Sequence, residues 1–508
     1  MKKFIPLFLL IAACFPTSKG FAQRISFPDS LAMRKEWLQT ISRTTEDLGL
    51  TYNHSSMGAI LVERADAEAN LKRYSKAIDD YNKAIFFNPG LKTIYVRRAR
   101  VYEVMGNFKA AISDYEKALA NFKGDKFNEA TTWNAIAGNQ LELNNYAKAV
   151  KADSAAIAAY PQFAMAYANK GWANMHLGKF QQAVDDFTEA LKGFQNSPQE
   201  LAAVYRNRAD AYRNLEKFSE AISDYNSALQ YVPDLVTAYW GLAMCYGLTH
   251  QFLLAENNFA RTAKLLNGDN QQLSKLYIDW GGLEDIRRDY AKKVVNDSLA
   301  WAYDNKNTTA CGALAHAYAL NGQMQQSVDK FNYLVKFYQG NKAALTEIYA
   351  SVAEQEYFLG HYDKAIEASS AALTVDPQAL LLYIIRGRSY IKKSNNDLAT
   401  ADFNKIMTID TAKQSDTYAL ALFFTGKQEQ ALGIIQAHFT AATDNMVRLN
   451  RCYQLARICS LMNKPDEANS YLKRSIDGGY STKYALVDPD LASIRNTKEF
   501  KDIIAGEK

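Results

Sequence analysis

The sequence predicts an all-α fold, a solenoid of stacked helix hairpins. Three observations predict it. Only 10 prolines and 25 glycines interrupt 508 residues, so long helices meet few breakers. One phrase recurs: an aromatic, Ala three residues on, an aromatic four later, Ala three later, and in several copies Pro five beyond. It reads Tyr74, Ala77, Tyr81, Ala84, Pro89, then Phe108, Ala111, Tyr115, Ala118, and again Phe218, Ala221, Tyr225, Ala228, Pro233. Third, the leading residues fall at 74, 108, 146, 180, 218 and 252, a spacing that alternates between 34 and 38. A fixed period of this size is the mark of a repeat array, in which each unit buries its apolar face only against its neighbours.

The N-terminus comes first and reads as a targeting segment. Lys2 and Lys3 precede a ten-residue apolar run from Phe4 to Ala13, too short to span a bilayer. Two readings stay open. Small residues Gly20 and Ala22 fit cleavage before Gln23 and plain export. The run Ile11-Ala12-Ala13-Cys14 fits a lipoprotein box, with Cys14 carrying the lipid. Either way the mature chain is exported, to the periplasm, the exterior or the outer membrane. Residues 23–57 follow as an N-terminal capping segment, with Leu31, Met33, Trp37, Leu38 and Ile41 on one face of a helix over 29–47.

The repeats come next. After Phe252 the next clear copy leads at Met324, 72 residues on, which demands a worn copy at 290, and Tyr290 stands there. Tyr362 and Asn396 continue the rhythm, which loosens through Gln428 and Pro465. Units start near 58, 92, 130, 164, 202, 236, 274, 308, 346, 380, 412 and 449. The four extra residues of the long period are expected in longer loops at alternate units.

This pattern resembles the tetratricopeptide repeat family, whose unit is two antiparallel helices, A and B. The resemblance implies a right-handed α-solenoid of about twelve hairpins with capping helices at both ends. Its division is 58–269 for repeats 1–6, 270–307 for a degenerate repeat 7, 308–480 for repeats 8–12 and 481–508 for a C-terminal cap. A small residue stands at the eighth position of helix A (Ala65, Ala99, Ala137, Gly171, Ala209, Ala243, Ala353, Gly387), where close packing in the hairpin needs one. Gly106, Gly178, Gly322, Gly360 and Gly426 fit the left-handed turn that ends helix A, and Pro89, Pro161, Pro233 and Pro377 end helix B. The closing run Leu486-Val487-Asp488-Pro489-Asp490-Leu491 is similar to the end of many bacterial proteins of this family and is expected to cover the last helix pair.

Function follows from what is present and what is missing. Lys and Arg total 59 against 54 acids, and three of those bases lie in residues 1–22, so the body is close to neutral. That excludes a global field for nucleic acid, and membrane contact is expected only through the lipid reading. No phosphate loop, zinc motif or nucleophile elbow occurs, and the expectation is no enzyme, no metal and no cofactor. The six histidines are scattered. Asp79-Asp80 and Asp185-Asp186 read as solvated flanks of helix B. The remaining cysteines, Cys245, Cys311, Cys452 and Cys459, read as small core residues. Cys452 and Cys459 lie ~10 Å apart along one helix, too far for a bond.

In the family helix A lines the concave surface. By that offset Met165, Trp172 and Met175, then Arg206, Asp210 and Arg213, then Trp240 and Met244 face the groove in repeats 4 to 6. One reading is a binding patch, with the tryptophans as anchors and the arginines gripping a carboxylate or phosphate. The other is that these side chains pack on adjacent helices. The resemblance implies a non-catalytic scaffold of the bacterial envelope that captures a protein or extended peptide. The alternative is a glycan-binding or accessory subunit of an uptake or enzyme complex, with the tryptophans stacking on sugar rings.

Overall fold

The computed structural model describes residues 31–506 apart from 52, 92, 195 and 196. The two readings of the leader, cleavage near Ala22 and lipid on Cys14, lie outside the described residues. Every described element is helical, and consecutive hairpins stack as a solenoid within each of two units. The chain divides into two compact units, up to Cys245 and from Tyr246 onward.

The first unit opens with α1 (Leu31–Leu50), which lies against α2. Five hairpins follow: α2 (His54–Asn70) with α3 (Tyr74–Phe87), α4 (Ile94–Val104) with α5 (Phe108–Asn121), α6 (Lys126–Glu142) with α7 (Tyr146–Ala159), α8 (Ala164–His176) with α9 (Phe180–Gly193), and α10 (Pro198–Asn214) with α11 (Phe218–Tyr231). Then comes α12 (Val236–Leu248).

The second unit starts with α13 (Phe252–Leu265). Six hairpins follow: α14 (Asn270–Arg287) with α15 (Tyr290–Tyr303), α16 (Thr308–Leu320) with α17 (Met324–Val335), α18 (Lys342–Phe358) with α19 (Tyr362–Val375), α20 (Leu380–Lys392) with α21 (Asn396–Ile409), α22 (Asp416–Phe424) with α23 (Gln428–Ala441), and α24 (Asn445–Leu461) with α25 (Pro465–Asp477). The short α26 (Thr482–Val487), a 3-10 turn (Pro489–Leu491) and α27 (Lys498–Ala505) close the chain.

The turn after helix A has one geometry throughout. The fifteenth residue from each repeat start is left-handed in all twelve repeats. It is glycine at Gly106, Gly178, Gly322, Gly360 and Gly426, and a side-chain-bearing residue at Lys72, Asn144, Glu216, His250, Arg288, Ser394 and Asn463. Hairpin closure therefore dominates local preference, since a left-handed non-glycine residue costs about 1 kcal/mol.

The four extra residues lie elsewhere than expected. The linkers before α6 and α8 are both four residues long. The length goes instead into helix A: α6, α10 and α18 have 17 residues and α14 has 18, against 13 in α8, α16 and α20. Four residues make one helical turn. A cap set one turn earlier explains it. Asp125, Asp269 and Asn341 accept the N–H of Asn128, Gln272 and Ala344 at 3.2, 3.0 and 3.1 Å, and Pro198 opens α10.

A second correction concerns the acid pairs. Asp79 and Asp185 are exposed, but Asp80 and Asp186 are buried inside their hairpins. Arg64 grips Asp80 with two bonds of 2.7 Å, and Lys170 reaches Asp186 at 2.6 Å. The same link, sixteen residues apart, joins Arg98 to Asp114, Arg208 to Asp224 and Arg386 to Asp402. Removing one partner strands a buried charge. Arg208→Met should therefore destabilise its hairpin by ~3–5 kcal/mol. Arg208→Met with Asp224→Leu should recover most of that loss, as read by urea unfolding and amide exchange of α10 and α11.

The worn seventh repeat departs in its interior. Lys293 stands where the repeats on either side place Ala or Ser, and Asp297 where they place an aromatic. Lys293 pairs with Asp297 at 3.2 Å and Asp285 at 2.8 Å, so an ion pair replaces ring packing. Its Glu284 is also odd. The matching Glu68 and Glu356 meet Arg73 at 3.3 Å and His361 at 2.7 Å, whereas the corresponding partner of Glu284 is Asp289. Both Glu284 oxygens are buried without a hydrogen bond, and burial pushes the carboxyl up to about 6. The unfolded chain then ionises first, so this group's contribution falls as pH rises from about 4.5 to about 6. Glu284→Gln should stabilise the second unit by ~1 kcal/mol at pH 7.5 and leave it unchanged at pH 4, measured by urea unfolding at both values.

Candidate functional site

Successive A helices touch one another: α2 with α4, α6 with α8 and α8 with α10 in the first unit, and α14 with α16, α18 with α20 and α20 with α22 in the second. That closeness puts the A helices on the inside of the curve in each unit. Register across the inner face is set by Arg97, at the sixth position of repeat 2, which pairs with Asp66 at the ninth position of repeat 1. Tyr81 donates its hydroxyl to the same Asp66.

The residues expected in the groove of the first unit divide into two kinds. Met165, Trp172, Met175 and Met244 are half-buried. Trp172 packs on the cores of both the third and the fourth repeat and meets His176 edge to face at 4.5 Å. His176 in turn stacks flat on Tyr146 at 4.5 Å. Trp240 is only 3% exposed, so it belongs to the core and offers no flat face. The structure brings Arg206, Asp210 and Arg213 together. Arg206 donates to Asp210 at 3.2 Å, Tyr225 donates to Asp210 at 2.5 Å, and Arg213 lies 3.7 Å from the same carboxylate. Burial opposes the charge on Arg213, but Tyr225 and Asp210 outweigh it and raise its pKa. The arginines thus answer a carboxylate within their own helix. Nearby Cys245 is a buried thiol pushed up to about 12, unsuited to act as a nucleophile.

Among the described residues no metal-binding group forms, no disulfide occurs, and no helix is long and apolar enough to cross a membrane. His361 and His438 each sit 2.7 Å from an acid, Glu356 and Asp416, and neither pair is joined by a serine or cysteine within hydrogen-bonding distance among the bonds observed.

Two sets escaped the sequence reading. Asn169 and Asn207, the sixth residues of repeats 4 and 5, are 1% and 3% exposed, and the amide oxygen of each lacks a hydrogen bond. Asn139 and Asn174 on α6 and α8 share that lack. The signal was an asparagine at one offset in consecutive units. The other set is Glu354, Tyr357, Arg388, Tyr453 and Arg457, which occupy the groove offsets of repeats 9, 10 and 12. Tyr357, Arg388, Tyr453 and Arg457 hold the chain's own Asp488 and Asp490, and Glu354 stands beside the arginines. Tyr357 donates to Asp490 at 2.9 Å and Tyr453 to Asp488 at 2.9 Å, while Arg457 lies 3.2 Å from each carboxylate. Arg388 also pairs with Asp490.

The sequence comparisons agree with this architecture. Residues 91–162 and 134–200 match profiles described as tetratricopeptide repeat, and residues 209–248 match one described as TPR repeat. Residues 91–200 and 209–248 of the chain thus carry tetratricopeptide repeats. The chain is similar to a DnaJ protein P58IPK homolog of Arabidopsis thaliana, 39% identical over 67 residues, which is 13% of this chain and 14% of that relative's length. Among solved structures it resembles the C-terminal part of a TPR repeat-containing protein from Cytophaga hutchinsonii. That pair is 18% identical, covers 49% of this chain and 98% of the other, and has a TM-score of 0.41. It also resembles the pilF protein of Pseudomonas aeruginosa, with 19% identity, 43% and 95% coverage and a TM-score of 0.35.

The burial of Trp240 makes a direct prediction. Trp240→Ala should cost ~3–5 kcal/mol of stability, seen as earlier urea unfolding of the first unit. An unchanged midpoint would mean that the indole is dispensable to the core.

Proposed function

We propose that the chain is a non-catalytic scaffold that captures an extended segment of another protein along the A-helix face of the first unit. The observation that carries this is the pair of buried, unpartnered amide oxygens on Asn169 and Asn207, at one offset in consecutive repeats. An unmet buried acceptor costs ~1–3 kcal/mol, and rotation of each buried amide toward the inner face would bring its oxygen to a main-chain donor that removes this cost. An extended peptide presents such donors at regular spacing whatever its side chains. A preformed helical face limits the ordering cost of association. The sugar-stacking alternative loses one of its two rings, because Trp240 is core.

The place of action is proposed as the bacterial envelope, on the strength of the charged and apolar segment in residues 1–22, with either release after Ala22 or a lipid on Cys14. The nearly neutral body and its buried thiols suit that setting.

The test is peptide display against the wild-type chain, followed by affinity measurement with the Asn169→Ala, Asn207→Ala double variant. Loss of about tenfold or more in affinity, with unchanged helicity, is expected. Equal affinity in the double variant would end the reading.

A further inference from the structure

The second unit is folded around its own C-terminal segment, and that segment reaches far beyond the last hairpin. Leu491, Ile494 and Phe500 pack on the cores of repeats 11 and 12, as a cap should. The contacts continue backward. Tyr484 meets Phe358 of α18 edge to face at 4.7 Å, and Ser481 donates to the carbonyl of Leu320 at the end of α16 at 2.7 Å. Tyr290 of α15 donates to the carbonyl of Gly479 at 3.1 Å, and Arg288 donates to that of Gly478 at 2.8 Å. These bonds join residues 189 and 190 apart.

At the centre is the turn Asp488-Pro489-Asp490. Both aspartates are buried, at 0% and 5% exposed. Asp490 donates its own N–H to Asp488 at 2.9 Å, which sets the two carboxylates at a fixed separation. Around them stand Arg388 and Arg457, with the hydroxyls of Tyr357 and Tyr453. The aromatic residues ahead of the turn also seat: Tyr480 stacks on Tyr453 at 4.0 Å. Charges, hydroxyl donors and ring faces therefore meet at this turn. Without these acids Arg388 and Arg457 would share only Glu354 of α18, one carboxylate for two guanidinium charges, so the site is built for an occupant. It lies at the inner-face offsets of its repeats, the positions from which an array of this kind contacts a ligand.

We infer that the inner face of the second unit is a receptor for an acidic turn, Asp-x-Asp with tyrosines ahead of it, and that residues 480–491 are its resident ligand. The tail thereby closes repeats 7 to 12 into one cooperative body, where a linear array would couple only neighbours. Any other segment that uses this face must carry the same chemistry and displace the tail.

The experiment uses the full chain with a protease site inserted between Gly479 and Tyr480. The folded protein is cut and offered a fluorescent peptide of residues 480–508. The expected result is that the cut segment stays bound and exchanges with the peptide. A peptide with Asp488→Asn and Asp490→Asn should compete at least about tenfold less well, because each loses a charged bond. Equal competition by the two peptides, or no entry of either after the tail has left, overturns the inference. If the inserted chain does not fold, amide exchange of intact Asp490→Asn decides. Faster exchange in α18 and α20 as well as α24 supports the receptor, and a change confined to α24 and α25 overturns it.

Discussion

The close approach of the two helices in each hairpin is the constraint on which the structure rests. An aromatic ring of helix B lies directly on the eighth residue of helix A, and only a small residue leaves room. A β-carbon added to Gly171 would sit 2.8 Å from the ring of Phe187, and one added to Gly387 would sit 2.6 Å from Phe403. Where alanine fills the position, as at Ala65, Ala99 and Ala209, it is fully buried. With the helices this close, the arginine at the preceding position of several repeats reaches a carboxylate across the gap and forks onto it. Packing and pairing thus reinforce each other, and the buried aspartates are tolerable only because the arginines are held in reach.

Inner-face chemistry is a by-product of that geometry. Once helices A and B are locked, the remaining side chains of helix A face the seam with the next A helix. What stands there differs between the units. In the first, Asp210 gathers two arginines and a tyrosine from its own hairpin, and asparagines leave acceptors open. In the second, Arg388 and Arg457 stand on helices without acids and take Asp488 and Asp490 from the tail, with Glu354 of α18 beside them. Burial pushes Asp490 up, but Arg388 and Arg457 outweigh that and hold its carboxyl below the usual range.

The fold was legible because its rule is periodic: small, aromatic and turn residues fall in phase over many copies, and phase survives even where Tyr290 leads a worn repeat. The left-handed turn was read at its five glycines and missed at Glu216 or Arg288, where closure forces the conformation against preference. The extra four residues were misplaced because a spacing count cannot tell a loop from a turn of helix, although Asp125 and Asn341, as caps, mark the difference. The groove was less legible. Offset alone names the face but not its burial, so binding patch and packing both stood open for Trp240 and Arg206, and the fold buries them. The complementarity of Arg388 and Arg457 with Asp488 and Asp490 is written in the sequence, but only a fold that brings residues 102 and 33 positions apart to one place makes it visible.

The additional helical turn in alternate A helices has one more consequence. Neighbouring hairpins are not interchangeable, and the translational repeat of the scaffold is a couplet of 72 residues, the distance from Tyr74 to Tyr146. Long and short A helices alternate along the chain through repeats 1 to 10. Duplication, excision or grafting that respects this period preserves every interface type. Moving a single hairpin would set long against long, a seam that repeats 1 to 10 do not contain.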